Sequence, residues 1–550
     1  MNTYIRSSIK RLIGFSVATA LATSAHAGLT FTVTAPNGVG DVVALTNAIT
    51  RINALGGMAN KNGSKIWLEP GVYDLEGITL YADSHLYMDW HNCLLAGLGN
   101  DPADTVLLGA GAAENRRVIR CQGSNYGYCT ISNLTVTGGY TSSSGGGIFS
   151  GNCSSRYIDC VVSNNFAADV GGGIVRGQAI NCLVADNTTA KNGGGLYTEK
   201  GTGLDARFFD GAWNCVFTNN VAEGANSAGG AIYGNSAKCV GCTFVDNHAS
   251  YGGAISLFGG NFTWNKGAFT NTTEVTDCVF KGNSPLAWGS GAAIYNRNKE
   301  TPPRLAVTGC EFIGNNDNDI GGYGVTFECD ISNSVFRANY RQSYIVYHCN
   351  LTRCLVEDNT NNYSGLAIDV GSGHAYTNAN CLFRRNMCLG GNGRVSQAKT
   401  LVNCNYIDHS FAGYNYGAIT PDCKLWNCII TGNKISGAAS DVRAYLKDQT
   451  ATLVLTNCLF TAADVAEDYM GLGNCHKITR DKFKFADDAN GDYTPLSGSP
   501  CTDKGLQSDW ILRLVGDRDL AGNRRIFADG LDIGAFECQA YPPALKIIVR

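Results

Sequence analysis

Cys182-Leu-Val-Ala-Asp-Asn187, followed by Gly193-Gly-Gly-Leu196, is the stretch that decides the fold. Its first half recurs as CVVSNN from Cys160, CVFTNN from Cys215, CTFVDN from Cys242, CVFKGN from Cys278 and CEFIGN from Cys310. It continues as CLVEDN from Cys354, CLFRRN from Cys381 and CIITGN from Cys428, with SVFRAN from Ser334 in the series. Two copies are degraded, CNYIDH from Cys404 and CLFTAA from Cys458. The second half recurs as GGGI at Gly171, GGAI at Gly229 and Gly252, and GAAI at Gly291. The mean period from Cys160 to Cys458 is about 27 residues, inside the range of stacked-repeat architectures.

One copy reads as one coil of a solenoid. Cys182 and Val184 are two residues apart, so both point to one face of a strand. Asn187 stands where that strand ends. Asparagine tolerates a left-handed turn, and its amide can bond to the same amide in the next coil. The glycines form a turn into the next short apolar strand. Stacked coils lie about 4.8 Å apart, so equivalent residues form ladders. The expected asparagine ladder is Asn165, Asn187, Asn220, Asn247, Asn283, Asn315, Asn339, Asn359, Asn386 and Asn433. Helical repeats are excluded because the segments between glycines are short and rich in Gly, Asn, Thr and Ser. Propeller blades need longer repeats of about 40 residues. The expectation is an all-β fold, a right-handed single-stranded parallel β-helix solenoid with a short N-terminal capping helix and a distinct C-terminal segment.

The flanks complete that organisation. Residues 1–27 read as a secretory signal: Arg6, Lys10 and Arg11, then an apolar run, then Ala25-His26-Ala27. The run is too short for the roughly 20 residues of a membrane span. The chain is therefore expected to be exported, to the extracellular space or the outer cell surface, without a transmembrane helix. Residues 28–125 are assigned to the N-terminal cap and first coils, and 126–475 to the repeats. Residues 476–540 form the C-terminal segment and 541–550 a tail. Asp41 is placed to cap a helix reaching about Asn53, with Val42, Leu45, Ile49 and Ile52 on one stripe.

This order of amphipathic helix, the strand Ile66-Trp67-Leu68, the turn Pro70-Gly71 and Tyr73 resembles the N-terminal cap of pectate-lyase-like β-helix proteins. The segments from Asn490, Asp519 and Asp532 (NGDYTPLSGSP, DLAGNRR, DIGAFE) resemble the end of bacterial right-handed β-helix repeat proteins. The paired GGA(I/L) and FxxN phrases are similar to repeats of the polymorphic outer-membrane autotransporters. Those carry a C-terminal membrane barrel, which is not expected in the residues after Cys538.

Composition narrows the partners. The formal charge is −4 and charged residues make up 16%, so no nucleic-acid partner is expected. The 23 cysteines invite zinc, disulfides or buried thiols. Cys239 and Cys242 form a CxxC with no second pair at finger-like spacing. Ladder thiols project in parallel and do not meet disulfide geometry, so buried free thiols are expected for most positions.

Candidate sites are few in the linear sequence. Asp488, Asn490 and Asp492 alternate oxygen ligands around Gly491, as calcium loops do; otherwise no cofactor is expected. Polygalacturonases of the related fold carry NTD, DD, GHG and RIK phrases, and no such ordered set is present. Three insertions, 199–213, 257–274 and 296–305, break the period and are candidate binding loops. They carry Phe208, Phe209, Phe258, Phe262 and Trp264, of which Phe258, Phe262 and Trp264 are the chosen binding residues. The expected function is non-catalytic contact with polysaccharide or cell-surface glycans, or a structural surface role. The alternative is a polysaccharide lyase or glycoside hydrolase acting on acidic polysaccharide.

Overall fold

The computed structural model describes residues 28–540 apart from 123–128, 152–154, 199–209, 236, 259–260, 265–268, 287–288, 298–303, 317–321, 342–343, 363–375, 391–399, 413–422, 440–452, 462–469 and 528–529. Residues 1–27, read from the sequence as a secretory signal, and residues 541–550 lie outside the described residues. Short parallel strands stack into three long sheets of 17, 16 and 11 strands. A central coil visits them in order, as in Gln178–Ile180 of the first sheet, Leu183–Ala185 of the second and Leu196–Thr198 of the third, and the described strands of the third sheet end at Tyr344–Tyr347. The chain is a right-handed parallel β-helix. Right-handed crossovers are what a twisted strand favours when it returns to pair in parallel.

The repeat builds the interior as its period implies. Val162, Val184, Phe217, Phe244, Phe280 and Phe312 occupy successive rungs of the second sheet, all fully buried. From Phe217 onward the rings stack, with centroids 5.2, 4.9 and 4.9 Å apart. Cys160, Cys182, Cys215, Cys242, Cys278 and Cys310 form one interior column beside them. Each thiol lies near the carbonyl two residues earlier, and the Cys182 amide donates to Cys215 Sγ at 3.3 Å. Ser334 takes the same place, accepting from the Cys310 amide at 3.1 Å. All 22 described cysteines are free and all but Cys475 are buried. Burial raises such thiols; Cys93 is pushed up to about 11.

The asparagine ladder runs without a gap from Asn165 to Asn386. Asn187 Nδ2 donates to Asn220 Oδ1, Asn220 to Asn247, and Asn247 to Asn283, each at 3.0 Å. The left-handed residue is not the ladder asparagine, as the sequence reading had it, but the residue before it. Asn164 has φ 53° and Asp186 φ 55°. The short outward side chain absorbs the turn, which frees the next amide to bend inward. At the degraded copy His409 takes the ladder place. Asn386 N donates to His409 Nδ1 at 3.1 Å, and His409 N donates to Asn433 Oδ1 at 3.0 Å.

The glycine phrase has two separate demands. Gly171 and Gly252 start their turns at φ 66° and 63°. At the next position a Cβ on Gly172 would lie 2.4 Å from the Thr188 carbonyl oxygen, so neighbouring backbones pass too closely for any side chain.

The ends differ. A helix at Val42–Asn53, capped by the Asp41 carboxylate on the Ala44 amide at 2.8 Å, buries Leu45, Ala48, Ile49 and Ile52 against the first strands of the stack. The C-terminal segment lies along the flank of the last coils. Phe483, Phe485, Tyr493 and Ile533 cover the outward residues Leu382, Ile407, Ile429 and Leu459 of the second sheet. The turn asparagines Asn380, Asn403, Asn427 and Asn457 donate to Val515, Asp532, Leu506 and Lys504 carbonyls of that segment.

Candidate functional site

The third sheet carries the most distinctive outer surface. Its strands put Ile148, Ile174, Leu196, Ile232, Ile255 and Ile294 inward, fully buried. The next residue of each strand therefore faces out. Parallel register places Arg120 beside Phe149, then Val175, Tyr197, Tyr233, Ser256, Tyr295, Phe327 and Tyr347. Tyr197 and Tyr233 stack with centroids 5.4 Å apart. Tyr295 meets Phe327 at 4.8 Å, and Phe327 meets Tyr347 at 5.2 Å. Tyr323, 46% exposed, lies on Tyr347 at 4.8 Å. Tyr197, Tyr233 and Tyr347 are half-buried and Tyr323 is exposed, whereas Val175, Ser256, Tyr295 and Phe327 are buried, so the accessible flat apolar faces form two groups, Tyr197 with Tyr233 and Tyr323 with Tyr347.

Arginines lie along this column. The Arg117 and Arg120 guanidiniums stand 4.7 and 5.5 Å from the Phe149 ring. Asp83 pairs with both, at 2.7 and 3.0 Å. Burial would raise the Asp83 carboxyl, but Arg117 and Arg120 together outweigh it and hold the group below its ordinary range. Further along, Arg297 stands 5.4 Å over Tyr233 and 5.5 Å over Phe258.

The three insertions leave the helix at one corner, where third-sheet strands end at Thr198, Phe258 and Asn296. Phe258 packs edge-on to Tyr233 at 6.4 Å, so it joins the column. Phe262 and Trp264 lie on a two-stranded antiparallel hairpin, Asn261–Trp264 with Phe269–Thr272, that follows Phe258. Their side chains lie outside what the structure describes, as do Phe208 and Phe209.

The same corner holds a polar cluster that the linear sequence did not show. Glu328 Oε1 lies 2.8 Å from His348 Nδ1, and Glu328 Oε2 lies 3.0 Å from Arg304 Nη2. Arg304 also contacts the His348 carbonyl and stands 4.9 Å over the Tyr376 ring. His348 stacks between Tyr347 at 4.0 Å and Tyr376 at 5.4 Å. Burial pushes the Tyr376 phenol up to about 12. Glu328 and His348 hold φ of 59° and 54°, uncommon for such side chains and a mark of tight surroundings. A carboxylate that accepts from one imidazole nitrogen fixes the ring and its tautomer. Both Glu328 oxygens are engaged, so this carboxyl is not set up as an acid for a glycosidic oxygen. Turns of unequal length bring Arg304, Glu328 and His348 together across three coils, and no spacing in the sequence signals it.

The calcium reading of Asp488, Asn490 and Asp492 meets a different arrangement. Both Asp488 oxygens face the Arg480 guanidinium, at 2.6 and 2.8 Å, and Arg480 also bridges to Asp408. The Asn490 amide donates to Asp487 at 2.7 Å, and Asp492 accepts from the Thr494 amide at 3.0 Å. Arg480 thus takes up the Asp488 carboxylate and ties the C-terminal segment to Asp408 of the last coils. Among the described residues no group of three or more His, Cys, Asp or Glu could hold a metal ion. Arg384 and Arg385 face outward and pair with Glu357 and Asp358, with Arg384 also donating to the Gly491 carbonyl at 2.8 Å.

No known family's sequence profile matches the chain, and no curated protein matches it in sequence. Solved structures align with it as β-helices. A mannuronic-acid-specific family 6 polysaccharide lyase from the human gut microbiota aligns over 82% of this chain and 91% of its own, at 10% identity and a TM-score of 0.33. The PL6 family alginate lyase AlyGC aligns over 82% and 79%, at 10% identity and 0.33. The tailspike protein of E. coli bacteriophage HK620 aligns over 79% and 73%, at 12% identity and 0.31. At these values nothing of those proteins' chemistry passes to this chain. Among the described residues no helix is long and apolar enough to cross a membrane.

Proposed function

We propose that the protein contacts polysaccharide along the outer face of the third sheet, outside the cell. One observation carries the reading: along one in-register outward column Tyr197, Tyr233 and Tyr347 keep accessible ring surface, with Phe258 beside Tyr233 and exposed Tyr323 on Tyr347. Sugar rings present flat C–H faces that stack on aromatic rings, and a polymer repeats them along a line. A solenoid offers the matching extended surface, and weak contacts summed over several coils give useful avidity. The basic, apolar, small-residue order of residues 1–27 supports export. The test retains the full chain on a panel of immobilised polysaccharides and compares it with the triple variant Tyr197→Ala, Tyr233→Ala, Tyr295→Ala. Binding that the variant loses while its fold persists supports the reading. Equal retention of both proteins contradicts it.

A second reading, cleavage of the bound polymer, is favoured by the carboxylate-held imidazole of Glu328 and His348 at the end of the column. Unsaturated products and new reducing ends, appearing with the full chain and absent with His348→Gln, would establish it. Products formed equally by both proteins would exclude this dyad as their source.

A further inference from the structure

The turn that follows each first-sheet strand forms a ladder of its own in the later coils. Asn333, Asn380, Asn403, Asn427 and Asn457 occupy it, all left-handed with φ between 49° and 54°. In the coil between Asn333 and Asn380 the place is taken by Arg353, with φ 51°. Asparagine enters this region readily, whereas arginine does so at a cost in backbone strain. A strained residue in an otherwise regular turn marks a place where its side chain is used.

Arg353 stands where the C-terminal segment begins to cover the turns. On the next coil Asn380 Nδ2 donates to the Val515 and Arg518 carbonyls of that segment, at 2.6 and 3.3 Å. Between the two lies a cleft of about 250 Å³, lined by Asn333 and Arg353 from the coils and by Asp517, Arg518 and Leu520 from the segment. The half-buried Arg353 side chain is fixed on two sides. Its Nε donates to Asn333 Oδ1 at 2.8 Å, and a Cβ on Gly516 would lie 3.3 Å from its Nη1. Arg518 is exposed and donates from Nη1 to the Gly522 carbonyl at 3.2 Å.

Neither guanidinium has a carboxylate partner among the described residues. Arg385, left-handed at another turn with φ 49°, is by contrast held by Asp358 at 2.8 and 2.7 Å. Asp519 also borders the cleft, but its two oxygens accept from the Asn523 and Glu537 amides at 2.7 and 2.9 Å. Asp517 is exposed and pairs with neither arginine. Two guanidiniums sharing an open cleft suit an oxyanion, which a fixed planar fork holds with direction as well as charge.

We infer that the cleft at Arg353 and Arg518 binds one oxyanion group, a carboxylate, sulfate or phosphate, carried on a sugar. Both guanidiniums donate to the anion oxygens, Asp517 accepts from a neighbouring sugar hydroxyl, and Leu520 meets the carbon skeleton. The bound sugar bridges the coils and the C-terminal segment. This site lies off the third-sheet face and stands whether or not that face contacts polysaccharide.

The experiment titrates the full chain with glucuronate, glucose 6-sulfate, glucose 6-phosphate and glucose. At least one anionic sugar should bind about tenfold or more tightly than glucose, the scale of one charge-assisted hydrogen bond. Arg353→Asn restores the residue that the neighbouring coils use in this turn, so the fold persists, and it should abolish the preference. Arg518→Ala should weaken it at least about tenfold, and Arg353→Lys should retain part of it. The ranking of the three anionic sugars tells which oxyanion the cleft takes. Because the ligand bridges two parts of the chain, it should also slow release of the C-terminal segment by limited proteolysis, in the full chain and not in Arg353→Asn. Equal binding of glucose and its anionic forms overturns the site, as does absence of binding to every sugar. A preference that survives Arg353→Asn and Arg518→Ala, or binding without protection of the segment, also overturns it.

Discussion

The inner asparagine column and the outer aromatic column have the same register and opposite composition. The inner one repeats a single residue over nine successive coils, from Asn165 to Asn386. The outer one changes from Phe149 to Val175, Tyr197, Ser256 and Phe327 within the same stretch. Inside, each amide must satisfy its neighbour above and below, so one chemical type is selected. On the outer column no hydrogen-bonded partner above and below has to be matched, so the residue type varies from coil to coil. A uniform column thus reports folding, and a varied one reports use.

The largest effect should come from breaking the uniform column. Asn247 Nδ2 donates to the Phe217 carbonyl and to Asn283 Oδ1, while its own Oδ1 accepts from Asn220 N and Nδ2. Asn247→Ala leaves several buried groups unpaired, at about 1–3 kcal/mol each. Urea unfolding should show a loss of about 3 kcal/mol or more. The same substitution of outward Tyr197 should change stability by less than about 1 kcal/mol. Comparable losses at both sites would erase the distinction between the columns.

A smaller and opposite effect is expected at the irregular rung that His409 occupies. His409 is fully buried, and burial pushes the imidazole down to about 3 against the opposing effect of its backbone contacts with Asn386 and Phe383. The unfolded chain binds a proton here below its ordinary value of about 6.5, whereas the folded chain stays neutral. Stability from this site is therefore complete above about pH 6.5 and falls as pH is lowered toward 3, by up to about 1.4 kcal/mol per pH unit. His409→Asn should restore the ladder, raise stability by about 1 kcal/mol at pH 7, and flatten the acid limb. An unchanged acid limb would show that the loss arises at other groups.

The thiol column gives a qualitative test of the interior. Native protein should react slowly with a thiol reagent, and denaturant should release at least 20 reactive cysteines, given the 22 free ones described. A protein left with one or two reactive thiols after unfolding would mean disulfides across the coils. The least effect is expected from Arg480→Ala, which removes the bridge from Asp488 to Asp408. It should loosen the C-terminal segment to limited proteolysis and leave the column of coils intact.

How much was legible follows from the same contrast. The repeat CxVxxN announced the stacked strands, the buried cysteines and the asparagine ladder, because identical residues at equal depth must be the same physical object. The helix at Val42–Asn53 was legible from its cap and stripe. The left-handed residue was misplaced by one position, because Asn-Asn and Asp-Asn pairs offer two candidates and only the backbone separates them. His409 looked like decay of the motif, yet its Nδ1 does the work of an amide oxygen. The aromatic column was not legible: Tyr197, Tyr233, Tyr295 and Phe327 share no flanking residue pattern beyond the glycine turn. Phe258 was found through its insertion, but its partners Tyr233 and Arg297 came from the register. The cluster of Arg304, Glu328 and His348 lay 24 and 20 residues apart, and unequal turn lengths hid it.

The most direct measurement compares two faces of one molecule. Dissociation constants for a single retained oligosaccharide are measured for the full chain, for the third-sheet variant Tyr197→Ala, Tyr233→Ala, Tyr295→Ala, and for a second-sheet variant in which outward Val161, Leu183 and Val216 are changed to Thr. Circular dichroism confirms that all three are folded. The third-sheet variant should bind at least tenfold more weakly and the second-sheet variant within twofold of the full chain. Equal affinities for all three proteins, or a loss confined to the second-sheet variant, would contradict the assignment of the glycan-contacting face.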